Sequence, residues 1–128
     1  MESAKKVVMV VEDEKLLVDA ISKKLLINGF DVCEYTHGIS AITALISHTV
    51  TPDIIWLDYY LGDMNGLEFV TEMQKHGISV PVVIVSNSAS DTKVKTMLAL
   101  GVKKYLLKAH FRLEEIISEL HSMLKEIQ

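Results

Sequence analysis

The chain has 128 residues, 49% hydrophobic and 23% charged, with a formal net charge of −4. That length suits one domain with a substantial core, and the apolar fraction excludes a disordered chain. Net acidity without a run of Lys or Arg argues against direct nucleic-acid binding, and no apolar stretch approaches the roughly 20 residues of a membrane helix.

The first element is the strand "VVMVV" (7–11), continuous and β-branched, as befits a strand buried on both faces of a parallel sheet. A helical pattern follows over 14–28, with Leu17, Ala20, Ile21, Leu25 and Asn28 at helical spacing and Gly29 as its stop. "FDVCEY" (30–35) reads as the second strand. Its lone cysteine, Cys33, reads as a buried inert thiol. The pattern over 38–48 places Ile39, Ile42, Leu45 and Ile46 on one stripe. The third strand, "DIIWLD" (53–58), drives four apolar or aromatic residues into the charge of Asp58. Helix 66–76 carries Leu67, Val70 and Met73 and stops at Gly77. The strand "VPVVIV" (80–85) has Pro81 at its start, where a missing N–H is tolerated. Ser90 then caps a helix over 90–100, with Val94, Met97 and Leu98 as its stripe and Gly101 beyond it. "KKYLLK" (103–108) and a helix over 111–127 close the chain, the latter with Leu113, Ile116, Ile117, Leu120, Leu124 and Ile127.

Five alternating βα units over residues 1–128, with no linker or repeat, predict a single-domain doubly wound α/β fold. The expected architecture is flavodoxin-like: a five-stranded parallel sheet in the order 2-1-3-4-5, with helices on both faces. Ligands of such sheets bind beyond the carboxyl ends of the strands, at the point where the strand order reverses. Polar groups stand at that rim: Glu12 and Asp13 after the first strand, Asp58 ending the third, Ser86 after the fourth and Lys108 ending the fifth. Converging carboxylates repel, so either one holds a proton or a cation sits among them. A hard divalent ion such as Mg²⁺ suits a shallow rim with few protein ligands. An acid nucleophile, a metal, a hydroxyl and a lysine together suit a phosphoryl group.

These residues resemble the response-regulator receiver domain (CheY-like) of two-component signalling over essentially the full length. The acidic pair is matched by Glu12 and Asp13 in "VVEDE", and the phosphoryl-accepting aspartate by Asp58 in "WLDYYLGDMNG". The hydroxyl residue is matched by Ser86 in "VIVSNSA", the aromatic switch residue by Tyr105, and the lysine by Lys108. The resemblance implies phosphorylation of Asp58 by a histidine kinase or phosphotransfer protein, with Mg²⁺ held by Asp13, Asp58 and the main-chain carbonyl of Tyr60, and Glu12 acting through a metal water. It also implies a switched face over 90–127 for a downstream protein or a homodimer. The expected product is a phosphoacceptor switch with its own autophosphorylation and autodephosphorylation, more than a metabolic enzyme.

Three positions depart from the family pattern. Gly62 replaces a usual proline, which predicts a more mobile loop. Ala109 replaces another, so a trans bond and a differently set Lys108 loop are expected. Asn87 stands where a small residue usually leaves room for phosphate. Other function classes fit less well. A phosphatase with an aspartyl nucleophile carries a second carboxylate two residues on, where this chain has Tyr60. A nucleotide binder needs a glycine-rich loop after the first strand, where "VVEDEKLL" would repel phosphates. A degenerate receiver used only for protein contacts is the alternative that Asn87 and Ala109 keep open. The five histidines, 37, 48, 76, 110 and 121, show no ligand spacing and read as surface residues, and the six methionines as packing. The short polar segment Met1 to Lys6 lacks the apolar stretch of a signal peptide, and a cytoplasmic location is expected.

Overall fold

The structure, a computed structural model, describes residues 5–127; the polar start at Met1–Ala4 and the last residue, Gln128, lie outside the described residues. The strands are β1 (Val7–Val11), β2 (Asp31–Tyr35), β3 (Ile54–Leu57), β4 (Val82–Ser86) and β5 (Lys104–Leu107). They alternate with α1 (Lys15–Ile27), α2 (Gly38–Ile46), α3 (Gly66–Lys75), α4 (Asp91–Ala99) and α5 (Leu113–Ile127). All strand pairs are parallel, in the order β2-β1-β3-β4-β5. The predicted flavodoxin-like architecture is the observed one.

The sheet is buried on both faces because β1 and β3 are apolar at every position and β4 at all but its last, Ser86. Met9, Val11, Ile55, Leu57 and Ile84 point to the layer of α2, α3 and α4, where they meet Ile42, Leu45, Phe69, Met73 and Met97. The alternate residues Val8, Val10, Ile54, Trp56, Val83 and Val85 pack under α1 and α5, against Ile21, Leu25, Ile116, Ile117 and Leu120. Period-two alternation thus feeds two cores from one sheet.

Gly29, Gly77 and Gly101 follow the ends of α1, α3 and α4 with φ of +90°, +68° and +103°, the left-handed stop that a side chain disfavours. The predicted stripes keep their centres inside, Ile21 and Leu25, Ile42 and Leu45, Val70 and Met73, Met97, and Ile116 to Leu124, but differ at their margins. In α1 the buried residues are Val18, Ile21, Ser22 and Leu25, whereas Ala20 and Asn28 are exposed and Leu17 is half-buried. In α2 the small residues Gly38, Ala41 and Ala44 join Ile42 and Leu45 inside, leaving Ile39 and Ile46 outside. In α3 Phe69 replaces Leu67, and in α5 Met123 replaces Ile127. In α4 Met97 is the buried residue, with Val94 half-buried and Leu98 exposed. These helices carry more apolar residues than one face can bury, and the fit between each helix and the sheet decides which are taken in: small ones in α2, Phe69 in α3. Cys33, expected to be buried, is half-buried, with burial raising its thiol pKa. All five histidines are exposed. Among the described residues no helix is long and apolar enough to cross a membrane.

Candidate phosphoryl-acceptor site

Strand register assembles the site. Val11 pairs with Leu57, and the next residue, Asp58, donates its N–H to the Val11 carbonyl at 3.0 Å, so Glu12 and Asp58 emerge side by side. Leu57 pairs with Ile84, and Ser86 pairs with Leu107, which places Ser86 and the start of the Lys108 turn on the same rim. The expected strand ends shift slightly. Asp58 lies just past β3, Ser86 is the last residue of β4 rather than following it, and Lys108 opens a 3₁₀ turn, Lys108–His110. The peptide bond before Ala109 is trans, as is every other described bond.

Glu12, Asp13 and Asp58 each offer a carboxylate oxygen within 4.8 Å of the others. The Lys108 ammonium lies 2.8 Å from Glu12 Oε1 and 3.6 Å from Asp58 Oδ2. Glu12, almost wholly buried, also accepts the Glu14 N–H through Oε2 at 3.1 Å. Burial first, and then the charges of Glu12 and Asp13, push the Asp58 carboxyl up to about 7 against the pull of Lys108. Burial lowers the Lys108 pKa, but its bond to Glu12 and the charges of Asp58 and Glu12 outweigh that, leaving it raised. One lysine shared between two carboxylates therefore leaves residual negative charge at the rim. A divalent cation would relieve that excess and favour the ionised form of Asp58, so the oxygen set suits a metal of the Mg²⁺ type.

Ser86 is fully buried, and its hydroxyl accepts the Ser88 N–H at a long 3.4 Å. The Ser88 carbonyl accepts the Tyr105 hydroxyl at 2.8 Å. The hydroxyl residue and the aromatic residue singled out in the sequence thus meet through one loop residue. Asn87 is exposed. Tyr60 is half exposed and makes an isolated antiparallel bridge with Asn65.

The loop after Asp58 is tied at several points despite Gly62. Leu61 N–H reaches the Met64 carbonyl at 3.0 Å, and Gly66 N–H the Tyr59 carbonyl at 2.6 Å. Asn65 and Glu68 form a reciprocal capping box that starts α3. Asp63 spans to α2, accepting the N–H groups of Gly38 and Ile39 at 2.9 Å each. Burial acts to raise the Asp63 pKa, but those N–H groups outweigh it and hold the carboxyl below its usual value. A Cβ on Gly38 would lie 2.5 Å from Met64 Cγ, so this glycine lets α2 approach the loop. Asp63 was not singled out in the sequence. Its signal was indirect: His37, the residue before α2, supplies no side-chain cap, so an outside acceptor had to.

Two further residues also escaped the sequence reading. Lys93 of α4 lies 4.6 Å from the centroid of the Tyr59 ring and 4.4 Å from that of Tyr60, and donates a hydrogen bond to the Tyr60 hydroxyl. No local pattern marks Lys93 or Tyr59, because the contact joins residues 33 apart.

A buried carboxylate at a parallel-sheet switch point, flanked by an acidic pair, a hydroxyl and a lysine, is the residue set that the resemblance to receiver domains led one to expect. The family model for the response regulator receiver domain matches residues 8–121, and the chain belongs to that family, the receiver domain of two-component systems. The alkaline phosphatase synthesis transcriptional regulatory protein SphR of Synechococcus elongatus is 29% identical over 94% of this chain and 49% of its own length. The cell cycle transcriptional regulator CtrA of Caulobacter vibrioides is 31% identical over 92% of this chain and 50% of its own. The chain thus spans about half the length of the curated relatives it matches. Among solved structures, the Francisella response regulator 1452 receiver domain superposes with a TM-score of 0.87 at 26% identity, covering 97% of this chain and all of that one. The CheY-like receiver of Methanospirillum hungatei gives 0.87 at 19% identity over 96% of each chain, a likeness of fold.

Proposed function

We propose that this receiver is a phosphorylation switch whose acceptor is Asp58, supplied by a histidine kinase or phosphotransfer protein. The observation that carries this reading is the crowding of Glu12, Asp13 and Asp58 within 4.8 Å of one another, with Lys108 3.6 Å from Asp58. In the reaction an ionised Asp58 oxygen attacks phosphorus and an O–P bond forms. The P–N bond of a phosphohistidine breaks, and the imidazole leaves with the electron pair. Asp58 then carries an acyl phosphate, and water later attacks its phosphorus to return the carboxylate and inorganic phosphate.

Mg²⁺ would be held by Asp13, Asp58 and the Tyr60 carbonyl, with Glu12 acting through a metal-bound water; when present it supplies neutralisation of the phosphoryl charge. Lys108, already directed at Asp58, pairs with the phosphoryl group, and the Ser86 hydroxyl donates to it. Drawing Ser86 toward the phosphate weakens its long contact with Ser88 and, through Ser88, frees Tyr105 to turn inward. The surface altered is the 90–127 face, available to a downstream protein or a second copy of the chain. The domain acts as a switch with its own slow phosphorylation and dephosphorylation, in the cytoplasm where such kinases present their phosphohistidines.

The test is incorporation of phosphate from acetyl phosphate. Label should appear with Mg²⁺, be labile to hydroxylamine, and fall to background in Asp58→Asn. Equal labelling of that variant would remove Asp58 from the role.

A further inference from the structure

The first turn of α4 holds a cation in an unfavourable place. Lys93 is the third residue of the helix, and its N–H is capped by Ser90 Oγ at 3.1 Å. Helix N-termini favour anions, so a lysine there gains nothing from the helix dipole. Its ammonium instead folds back across Tyr59 and Tyr60, with centroid distances of 4.6 and 4.4 Å, and donates to the Tyr60 hydroxyl.

The two tyrosines differ in what they touch. Tyr59 is buried, directly follows Asp58, and packs edge-on to Tyr60 at 4.9 Å and tilted against Tyr105 at 6.2 Å. Tyr60 is half exposed and belongs to the loop pinned by Leu61, Met64 and Asn65. Lys93 therefore joins the acceptor loop to a helix that is otherwise weakly held, since Met97 is the buried residue of α4.

We infer that Lys93 is a positioning residue, a latch whose contact with Tyr59 and Tyr60 holds α4 in its resting arrangement until the acceptor loop changes. The inference rests on Asp58 being the phosphoacceptor, but the latch itself exists without phosphate. A contact made in the resting state and lost in the switched state biases the equilibrium toward rest. Removing it should make switching easier, whereas a contact kept in both states would shift nothing.

Lys93→Met keeps the alkyl stem and removes the charge and the donor; Lys93→Arg keeps both. In the unmodified protein, amide exchange over 91–95 should quicken in Lys93→Met and return to the parent rate in Lys93→Arg. Beryllofluoride with Mg²⁺ should bind Lys93→Met about fivefold more tightly than the parent, matching one modest cation–π contact, with Lys93→Arg at the parent value. Unchanged exchange in Lys93→Met, unchanged or weaker beryllofluoride binding, or an arginine variant as loose as the methionine one would each overturn the latch. Absence of beryllofluoride binding to the parent, or equal binding to Asp58→Asn, would instead defeat the acceptor reading. The exchange measurement then decides the latch alone.

Discussion

Trp56 and Asp58 stand two residues apart and are both buried, yet they belong to opposite regimes. Trp56 is 1% exposed among Val10, Val83 and Val85, where burial and packing both favour the fold. Asp58 is 8% exposed beside two other carboxylates, where burial opposes its charge and raises its pKa to about 7. The body of the sheet holds the molecule together, and its carboxyl rim is held in place against its own electrostatics. The difference teaches that the site is maintained by the register of strands whose stability comes from elsewhere.

The sharpest way to break this contrast is at the tryptophan. Trp56→Ala should cost about 4 kcal/mol in urea denaturation. A loss below about 1 kcal/mol would mean that β3 is not anchored by its apolar body.

The rim should respond with the opposite sign. A carboxyl whose folded pKa is raised keeps its proton in the folded state while the unfolded chain gives it up. Stability from Asp58 is therefore lost as pH rises from 3.8 to about 7 and stays lost above that. Asp58→Asn removes this penalty, so without divalent cations it should be more stable than the parent at pH 8, by about 2 kcal/mol. The advantage should vanish below pH 3.5, roughly the lower limit set by an ordinary carboxyl. Thermal or urea denaturation across that range checks it, and a variant less stable than the parent at pH 8 would show Asp58 to be favourably paired.

Asp63 should give the smallest effect. It lies on the exposed side of the same loop and acts only through the two N–H groups at the start of α2. Asp63→Ala should cost about 1 kcal/mol and quicken amide exchange at Gly38 and Ile39. Exchange unchanged at those two amides would show that α2 does not depend on the loop after Asp58.

Much of this was legible in the sequence. Nearly continuous apolar runs ending in Glu12, Asp58 and Ser86 pointed to parallel strands with polar tips, because a buried two-sided strand tolerates charge only where it leaves the sheet. The stops at Gly29, Gly77 and Gly101 were legible too, since a left-handed residue after a helix is a local demand of the backbone. Which apolar residues of each helix face inward was not. Ile39 and Leu67 are as hydrophobic as the residues that displaced them, and only the distance between helix and sheet admits Ala41 and Phe69 instead. Lys108 could be expected at the rim, but its division between Glu12 at 2.8 Å and Asp58 at 3.6 Å depends on where β1, β3 and β5 end relative to one another. The contacts of Asp63 with α2 and of Lys93 with Tyr59 and Tyr60 cross between elements far apart in the chain, so no period or motif announces them. Sequence alone determined the strands, their polar ends and the chemistry those ends can support. Tertiary structure decided which groups touch, because short-range electrostatics and hydrogen bonding act over a few ångströms that only the packed sheet and its helices set.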